Sequence, residues 1–342
     1  MRTKQAGAVI AAVVIVAVAA YAGYSYYGSG RPTPLIVYSA DAYVAESNAM
    51  LSGYHNASGF SVLKAKGGGS FTDAREIGQG DPANAFISVS KSSYNQSYLK
   101  ARYSGWAIAF ASDQLVLAYS NSSDTKLVNS IVGQFSNALR DNSSALYMQA
   151  YENLTSGKVK VGISNPSTDP AGLRGWISLE IAGKLYANNE TRFTSAIKAS
   201  NGATNDTSAA ELVSPLSTGN IQFLFIYRSA AISDGLPYVE LPQYTNFGNA
   251  SLSGFYSSFS YSTATGPESG SPVLLLVTSL AGNGPDTAAS LNFTVYVATH
   301  SSEMAPFGLL PFAKPLLFNG TSLPAPILAL LDEGKITQAG TI

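Results

Sequence analysis

The sequence predicts an α/β protein with mostly parallel sheets and helices on both faces. Two observations carry that expectation. Short apolar runs alternate with longer helical patterns along most of the chain, which is the signature of β-α-β units. A length of 342 residues also suffices for one large domain or for two lobes with separate cores. In such sheets ligands gather at the carboxyl ends of strands.

Taken in order, "LIVYSA" from Leu35 to Ala40 reads as a buried strand and "DAYVAESNAMLSGYHN" as the helix after it. "FSVLKAKGGGSFTDAREIGQG" reads as a strand, a Gly-rich turn and a helix, and "NAFISVS" and "AIAFASDQLVLAY" as further strands. A second alternating region follows, with helices through "TKLVNSIVGQFSNALR" and "SSALYMQAYENL" and a strand at "VKVGISN". The helix "DPAGLRGWISLEIAGKLY" has a clear start: Asp169 suits the N-cap and Pro170 the first turn. After "AAELVSPLSTG" come the strands "IQFLFIYR" and "LPYVELP". "SPVLLLVTSLAG" and "LNFTVYVATH" read as strands, and "EMAPFGLLPF" and "PAPILALLDEG" as terminal helices.

The N-terminus points outward. "MRTKQ" is basic, and Ala6–Gly23 carries no charge, a length near the lower limit for a membrane span, with Arg2 and Lys4 setting the start inside. Three readings are open: a retained anchor, favoured by the interfacial belt of Tyr21, Tyr24, Tyr26 and Tyr27; a cleaved signal peptide, with "AVA" at Ala17–Ala19; or a pilin-like signal cut near "KQAG". All three export the remainder. Asn-x-Ser/Thr sequons at Asn56, Asn95, Asn121, Asn142, Asn153, Asn189, Asn205, Asn249, Asn292 and Asn319 exceed the roughly four that chance would place. They predict a glycosylated outer surface.

Composition excludes several chemistries. The net charge of −1 gives no nucleic-acid footprint. Charged residues make up only 12%, about half the usual share of roughly 25%, which fits an exposed and acidic exterior. The absence of cysteine removes disulfides, thiolate metal sites and a cysteine nucleophile. Of the two histidines, His55 reads as an exposed loop residue and His300 as a structural strand end. Neither belongs to a zinc-binding or nucleophile-elbow motif. "KGGGSF" around Ser70 is either a flexible turn or a nest of backbone N–H groups for an anion. No cofactor is expected, and an enzyme using Asp169 as general base lacks a partner group.

The order of these segments resembles the archaeal tungstate/molybdate-binding receptors of ABC importers, from about Leu35 to Leu331. "VGISNPSTDPAGLRGWISLEIAGKLY" looks like that family's strand, N-P-x-x-D-P-x-G-x-R segment and helix. "YSGWAIAFASDQLVLAYS" looks like its W-x-x-x-F-A-x-x-x-x-V-L-A-Y segment, and "IQFLFIYRSAAISDGLPYVELPQYTNFGN" like its strand, Y-R-S turn and L-E-L-P segment. The resemblance implies a two-lobed, periplasmic-binding-protein-like (type II) fold with a hinge, preceded by the N-terminal transmembrane or signal helix. Its expected boundaries are 1–33 for signal or anchor and linker, 34–119 and 241–342 for lobe one, and 120–240 for lobe two, with hinge crossings near Tyr119 and Glu240.

The implied ligand residues are Asp41, Ser70, Asp169 and Tyr227. Asp41 stands where the family has a serine, unless a shift of two residues brings Ser39 there. Ser70 matches a second serine, and Asp169 an aspartate that reaches the metal centre of the bound oxyanion. Tyr227 and Arg228 belong to the Y-R-S turn, whose preceding glutamate is here Ile226. Losing that carboxylate favours a four-coordinate oxyanion, molybdate, tungstate or sulfate, held by hydrogen bonds. No metal is expected beyond the oxyanion's own. An ionised Asp41 is acceptor-only, so donor service from it needs a proton and an acidic medium. Arg174 and Arg228 are expected to supply positive potential or to be paired structurally. The expected role is an anchored extracellular receptor delivering an oxyanion to an ABC permease. The alternative is a glycosylated surface or filament protein that keeps the fold without transport.

Overall fold

In a computed structural model, residues 33–122, 125–264, 266–283 and 286–342 are described. The expected N-terminal helix therefore lies outside the described residues. Among the described residues no helix is long and apolar enough to cross a membrane.

The described residues build two large sheets and a separate two-stranded hairpin. The first half contributes strand β1 (Val37–Ala40), helix α1 (Val44–Ser58), β2 (Lys66–Gly68), α2 (Ser70–Gln79), β3 (Ala85–Ser88) and β4 (Trp106–Ser112). Then come β5 (Leu115–Tyr119), α3 (Thr125–Asp141), α4 (Ser144–Thr155), β6 (Val161–Gly162), α5 (Pro170–Ala187), α6 (Arg192–Ala199), β7 (Ala203–Thr204), β8 (Phe223–Tyr227), α7 (Arg228–Ser233) and β9 (Tyr238–Glu240). The chain closes with the hairpin β10 (Ser260–Thr263) and β11 (Gly266–Ser269), β12 (Leu274–Ser279), α8 (Thr287–Thr299), β13 (Leu310–Asn319), α9 (Ala325–Asp332) and β14 (Thr337–Gly340). The larger sheet has the order β14-β13-β4-β12-β3-β1-β2 and the smaller the order β7-β6-β8-β5-β9.

The sheets are mixed rather than mostly parallel. β1 runs parallel to β2 and β3, as β-α-β crossovers require. β12, arriving after the excursion through the smaller sheet, is antiparallel to both β3 and β4. In the smaller sheet β5 is antiparallel to β8 and β9. The first passage between sheets occurs at Asp113–Gln114, between the end of β4 and the start of β5. Tyr119, expected near that passage, pairs with Phe223 inside the smaller sheet. One mostly apolar run from Ala107 to Tyr119 serves both sheets, and the polar Ser112–Gln114 step divides it.

Two terminal segments differ from expectation. "LNFTVYVATH" lies in helix α8, not in a strand. Its β-branched residues suggested a strand, but its buried positions Ala289/Ser290, Phe293/Thr294 and Val297/Ala298 recur at helical spacing. His300 caps that helix and stacks on Tyr296 with ring centroids 4.0 Å apart. "EMAPFGLLPF" is split by Gly308 in a left-handed conformation (φ 81°) into a 3-10 turn and the start of β13. His55 is exposed as expected, but in the last turn of α1, with Nδ1 2.7 Å from the Phe60 carbonyl oxygen. None of the ten sequon asparagines lies in the core.

Candidate functional site

β1 ends where a ligand would be met, and its last residues decide which side chain is presented. The Ser39 hydroxyl is turned into its own lobe: it lies 2.7 Å from the Ser47 hydroxyl and donates to the carbonyls of Ala40 and Tyr43. Asp41 begins the 3-10 turn after the strand, and its Oδ1 accepts from the Ala42 N–H at 2.7 Å. Its Oδ2 is buried and has no hydrogen bond of normal geometry. The Ser208 hydroxyl and Ala210 N–H of the smaller-sheet lobe favour its charged form, but burial outweighs them and raises its pKa. Of the two registers the sequence allowed, the one through Asp41 places a side chain at the seam between lobes.

The Gly-rich turn follows β2. A Cβ on Gly68 would lie 2.2 Å from Asp73 Oδ1, and one on Gly69 would lie 2.4 Å from the Thr168 carbonyl oxygen of the opposite lobe. These glycines therefore serve close approach. The N–H groups just after them are engaged, Phe71 donating to the Thr168 carbonyl and Thr72 and Asp73 to that of Gly69. What the turn offers is Ser70, the first residue of α2, which is 0% exposed with a hydroxyl that has no partner. One helical turn on, Asp73 is 1% exposed and its Oδ2 also lacks a partner. Burial, and then the charge of Asp41, push the Asp73 carboxyl up to about 8.

Asp169, by contrast, is fully engaged as a cap. Its Oδ1 accepts from the Ala171 N–H at 2.9 Å, and its Oδ2 accepts from the Ser164 hydroxyl and the Ala209 N–H, each at 2.8 Å. It starts α5 and ties down the Ser208–Ala210 turn. Burial and Asp41 raise its pKa to about 7 despite those three donors. Three protein donors thus share its carboxyl, one on Oδ1 and two on Oδ2.

Arg174, one turn into α5, is 2% exposed and meets no carboxylate. Its guanidinium donates across the seam to the carbonyls of Val89 (2.9 Å), Ser271 (3.0 Å) and Pro272 (2.9 Å), and to the Ser271 hydroxyl. Its Nη1 donates to the Tyr227 hydroxyl at 2.6 Å. Tyr227 is buried at the end of β8 against the Tyr43 ring, 5.6 Å between centroids. Its oxygen accepts from Arg174, which polarises the O–H toward donation. Ile226 is buried in β8 opposite Val116, so no carboxylate replaces the missing one at that position. Arg228 donates to the Gly308 carbonyl and is not ion-paired.

Asp113, at the passage between sheets, accepts from the Tyr43 and Ser229 hydroxyls at 2.9 and 2.6 Å. Among the described residues, ion pairs form only at the surface and involve none of these buried carboxylates. No group of three or more metal-ligating side chains forms among the described residues. The lobes touch directly: besides Arg174, the Phe71 N–H donates to the Thr168 carbonyl, and Arg75 Nη1 to the Ser167 carbonyl at 3.0 Å. The sequence reading missed Asp73, Asp113 and the Ser208–Ala210 turn. Only Asp73 carried a signal, three residues after Ser70 on the same helix face.

A family model for bacterial extracellular solute-binding proteins matches residues 35–303. A solute-binding protein of Sulfurisphaera tokodaii is 33% identical over 322 residues, covering 90% of this chain and 83% of its own. The fold is similar to the periplasmic molybdate-binding protein of Azotobacter vinelandii (TM-score 0.56, 16% identity, 81% of this chain and 98% of that one). It is also similar to the sulfate-binding protein of Mycobacterium tuberculosis (TM-score 0.54, 13% identity, 90% and 92%).

Proposed function

Because this chain belongs to the bacterial extracellular solute-binding protein family, we propose that it captures a small oxyanion between its lobes and hands it to an ABC permease. The observation that carries the ligand class is Arg174: a buried guanidinium with no carboxylate, handing one N–H to the Tyr227 hydroxyl. An uncompensated buried cation favours an anionic ligand, and Tyr227 and Ser70 supply neutral donors of the kind an oxyanion accepts. With Asp169 engaged as a cap and Ile226 apolar, the seam suits molybdate, tungstate or sulfate held by hydrogen bonds.

The two lobes close about the Asp113–Gln114 step and the return after Glu240, burying the ligand and forming the surface a permease reads. The N-terminal segment anchors the receptor at the outer face of the membrane, and the exposed sequons carry glycans. Thermal unfolding of residues 31–342 at pH 3 and pH 7 tests the ligand class, with molybdate, tungstate, sulfate and phosphate each in turn. A ligand at a hundred times its Kd adds about 2.7 kcal/mol, a shift of several degrees. That shift should fall by about half or more in Ser70→Ala. No shift with any of the four favours the surface-protein reading.

A further inference from the structure

Around the Ser70 hydroxyl the seam is acidic. Asp41 and Asp73 lie on either side of the Gly67–Gly68 backbone: a Cβ on Gly67 would stand 3.5 Å from Asp41 Cα, and one on Gly68 2.2 Å from Asp73 Oδ1. Each carboxyl has one buried oxygen without a partner, as does Ser70, whose side chain is wholly buried one helical turn from Asp73. The groups facing them are mostly acidic. Asp41 faces Asp73, Asp169 and Asp234, with the Ala42 N–H, the Ser208 hydroxyl and the Ala210 N–H as donors. Asp73 faces Asp41, Glu76 and Lys66. The Lys66 ammonium is already held by the Tyr38 hydroxyl (2.8 Å), Glu76 (3.0 Å) and Asp81 (3.1 Å). Arg174 is committed to carbonyls and hydroxyls.

Beside Ser70 an oxyanion meets the like charge of Asp41 and Asp73, which the single Arg174 cation farther along the seam offsets only in part, in a place where water screens it poorly. A proton removes the conflict and does more. On Asp41 Oδ2 it turns an acceptor into a donor, so that the seam offers the anion two hydroxyl-type donors, Asp41 and Ser70, beside Tyr227. We propose that the receptor binds its oxyanion together with a proton, taken from solvent and held on the Asp41–Asp73 carboxyl pair. Release into alkaline surroundings then gives up both. The upward pKa shifts of both carboxyls agree with this arrangement. The inference rests on the oxyanion reading of the same seam.

The test is calorimetric titration of the exported chain with molybdate and with sulfate from pH 5 to beyond pH 8, in pairs of buffers that differ in ionisation enthalpy. The expected results are a proton uptake that is small at pH 7 and below and climbs toward one per oxyanion as pH rises past 8, with the loss of affinity steepening toward tenfold per pH unit over the same range. In Asp41→Asn or Asp73→Asn, affinity at pH 8 should rise at least several-fold over the parent chain and its pH slope should flatten. Binding with no proton uptake and no pH slope overturns this inference and leaves the oxyanion reading standing. So does an Asn variant that weakens binding equally at pH 5 and pH 8. Absence of binding by either anion at every pH overturns the oxyanion reading, and this inference with it. The parent-chain proton count needs no variant, so a poorly folding substitution does not block the test.

Discussion

Asp169 shows how far the geometry can be pushed. Its carboxylate holds three buried donors, the Ala171 N–H, the Ser164 hydroxyl and the Ala209 N–H. Asp169→Ala removes a helix cap, worth about 1 kcal/mol. It also leaves the Ser164 hydroxyl and Ala209 N–H unsatisfied, at about 1–3 kcal/mol each, so the expected loss is about 3–7 kcal/mol. Asp169→Asn keeps an oxygen for Ala171, and the Ser164 hydroxyl can turn to accept from the new amide. Only the Ala209 N–H then faces a donor, and the loss falls to about 1–3 kcal/mol.

The Asn loss should also shrink as pH rises. The folded carboxyl of Asp169 is raised to about 7, chiefly by burial. Its contribution is therefore fully present below the unfolded pKa and is lost as pH climbs through 7, a loss Asn does not share. Urea unfolding followed by circular dichroism at pH 5 and pH 8 reads all three quantities. Equal losses for Ala and Asn, or an Asn loss that grows with pH, would refute the reasoning. Oxyanion affinity should stay within a few-fold in the Asn variant, because three protein donors already hold the Asp169 carboxyl.

Two further expectations follow from buried charge. Arg174→Met removes guanidinium bonds that join the lobes at Val89, Ser271 and Pro272, each worth about 1.5–3 kcal/mol as a charged hydrogen bond. The ligand-free chain should become measurably more extended by X-ray scattering, and an unchanged radius of gyration would count against Arg174 as the latch. Glu46 is 2% exposed with neither oxygen partnered, and burial, then Asp113 and Asp234, raise its pKa to about 7. The native Glu therefore loses stability as pH rises through 7, so Glu46→Gln should match it at pH 4 and exceed it by roughly 3 kcal/mol at pH 8; no gain at pH 8 would mean that Glu46 is solvated in solution.

What the sequence made legible follows from what local pattern can encode. Apolar runs such as Leu35–Ala40 and Ile221–Tyr227 announce buried strands wherever they sit, and Asp169-Pro170 announces a helix start because capping is a local matter. α8 was misread since Thr294, Val295 and Val297 favour strands by composition, while burial between neighbouring elements imposes a helix. The β10–β11 hairpin went unread because "SYST" and "GPES" alternate between exposed and half-buried without an apolar face. At the seam, Ser70 stood out by its Gly-rich turn, while a ligand role for it and for Asp41 was implied only by the family resemblance. Their surroundings could not be named, since Ser208, Ala210 and Thr168 arrive from the other lobe only when the chain has folded. Arg174 was expected either to be paired or to supply potential; its partners are three carbonyls and two hydroxyls, and carbonyl partners leave no trace in sequence.

The central claim is that a single oxyanion is held between the lobes by Ser70 and the Arg174–Tyr227 pair. Calorimetric titration at pH 5 with molybdate, tungstate, sulfate and phosphate tests it most directly. The account predicts one bound oxyanion per chain, with affinity reduced at least tenfold in both Ser70→Ala and Tyr227→Phe. No heat of binding from any of the four, or binding indifferent to both substitutions, would contradict it.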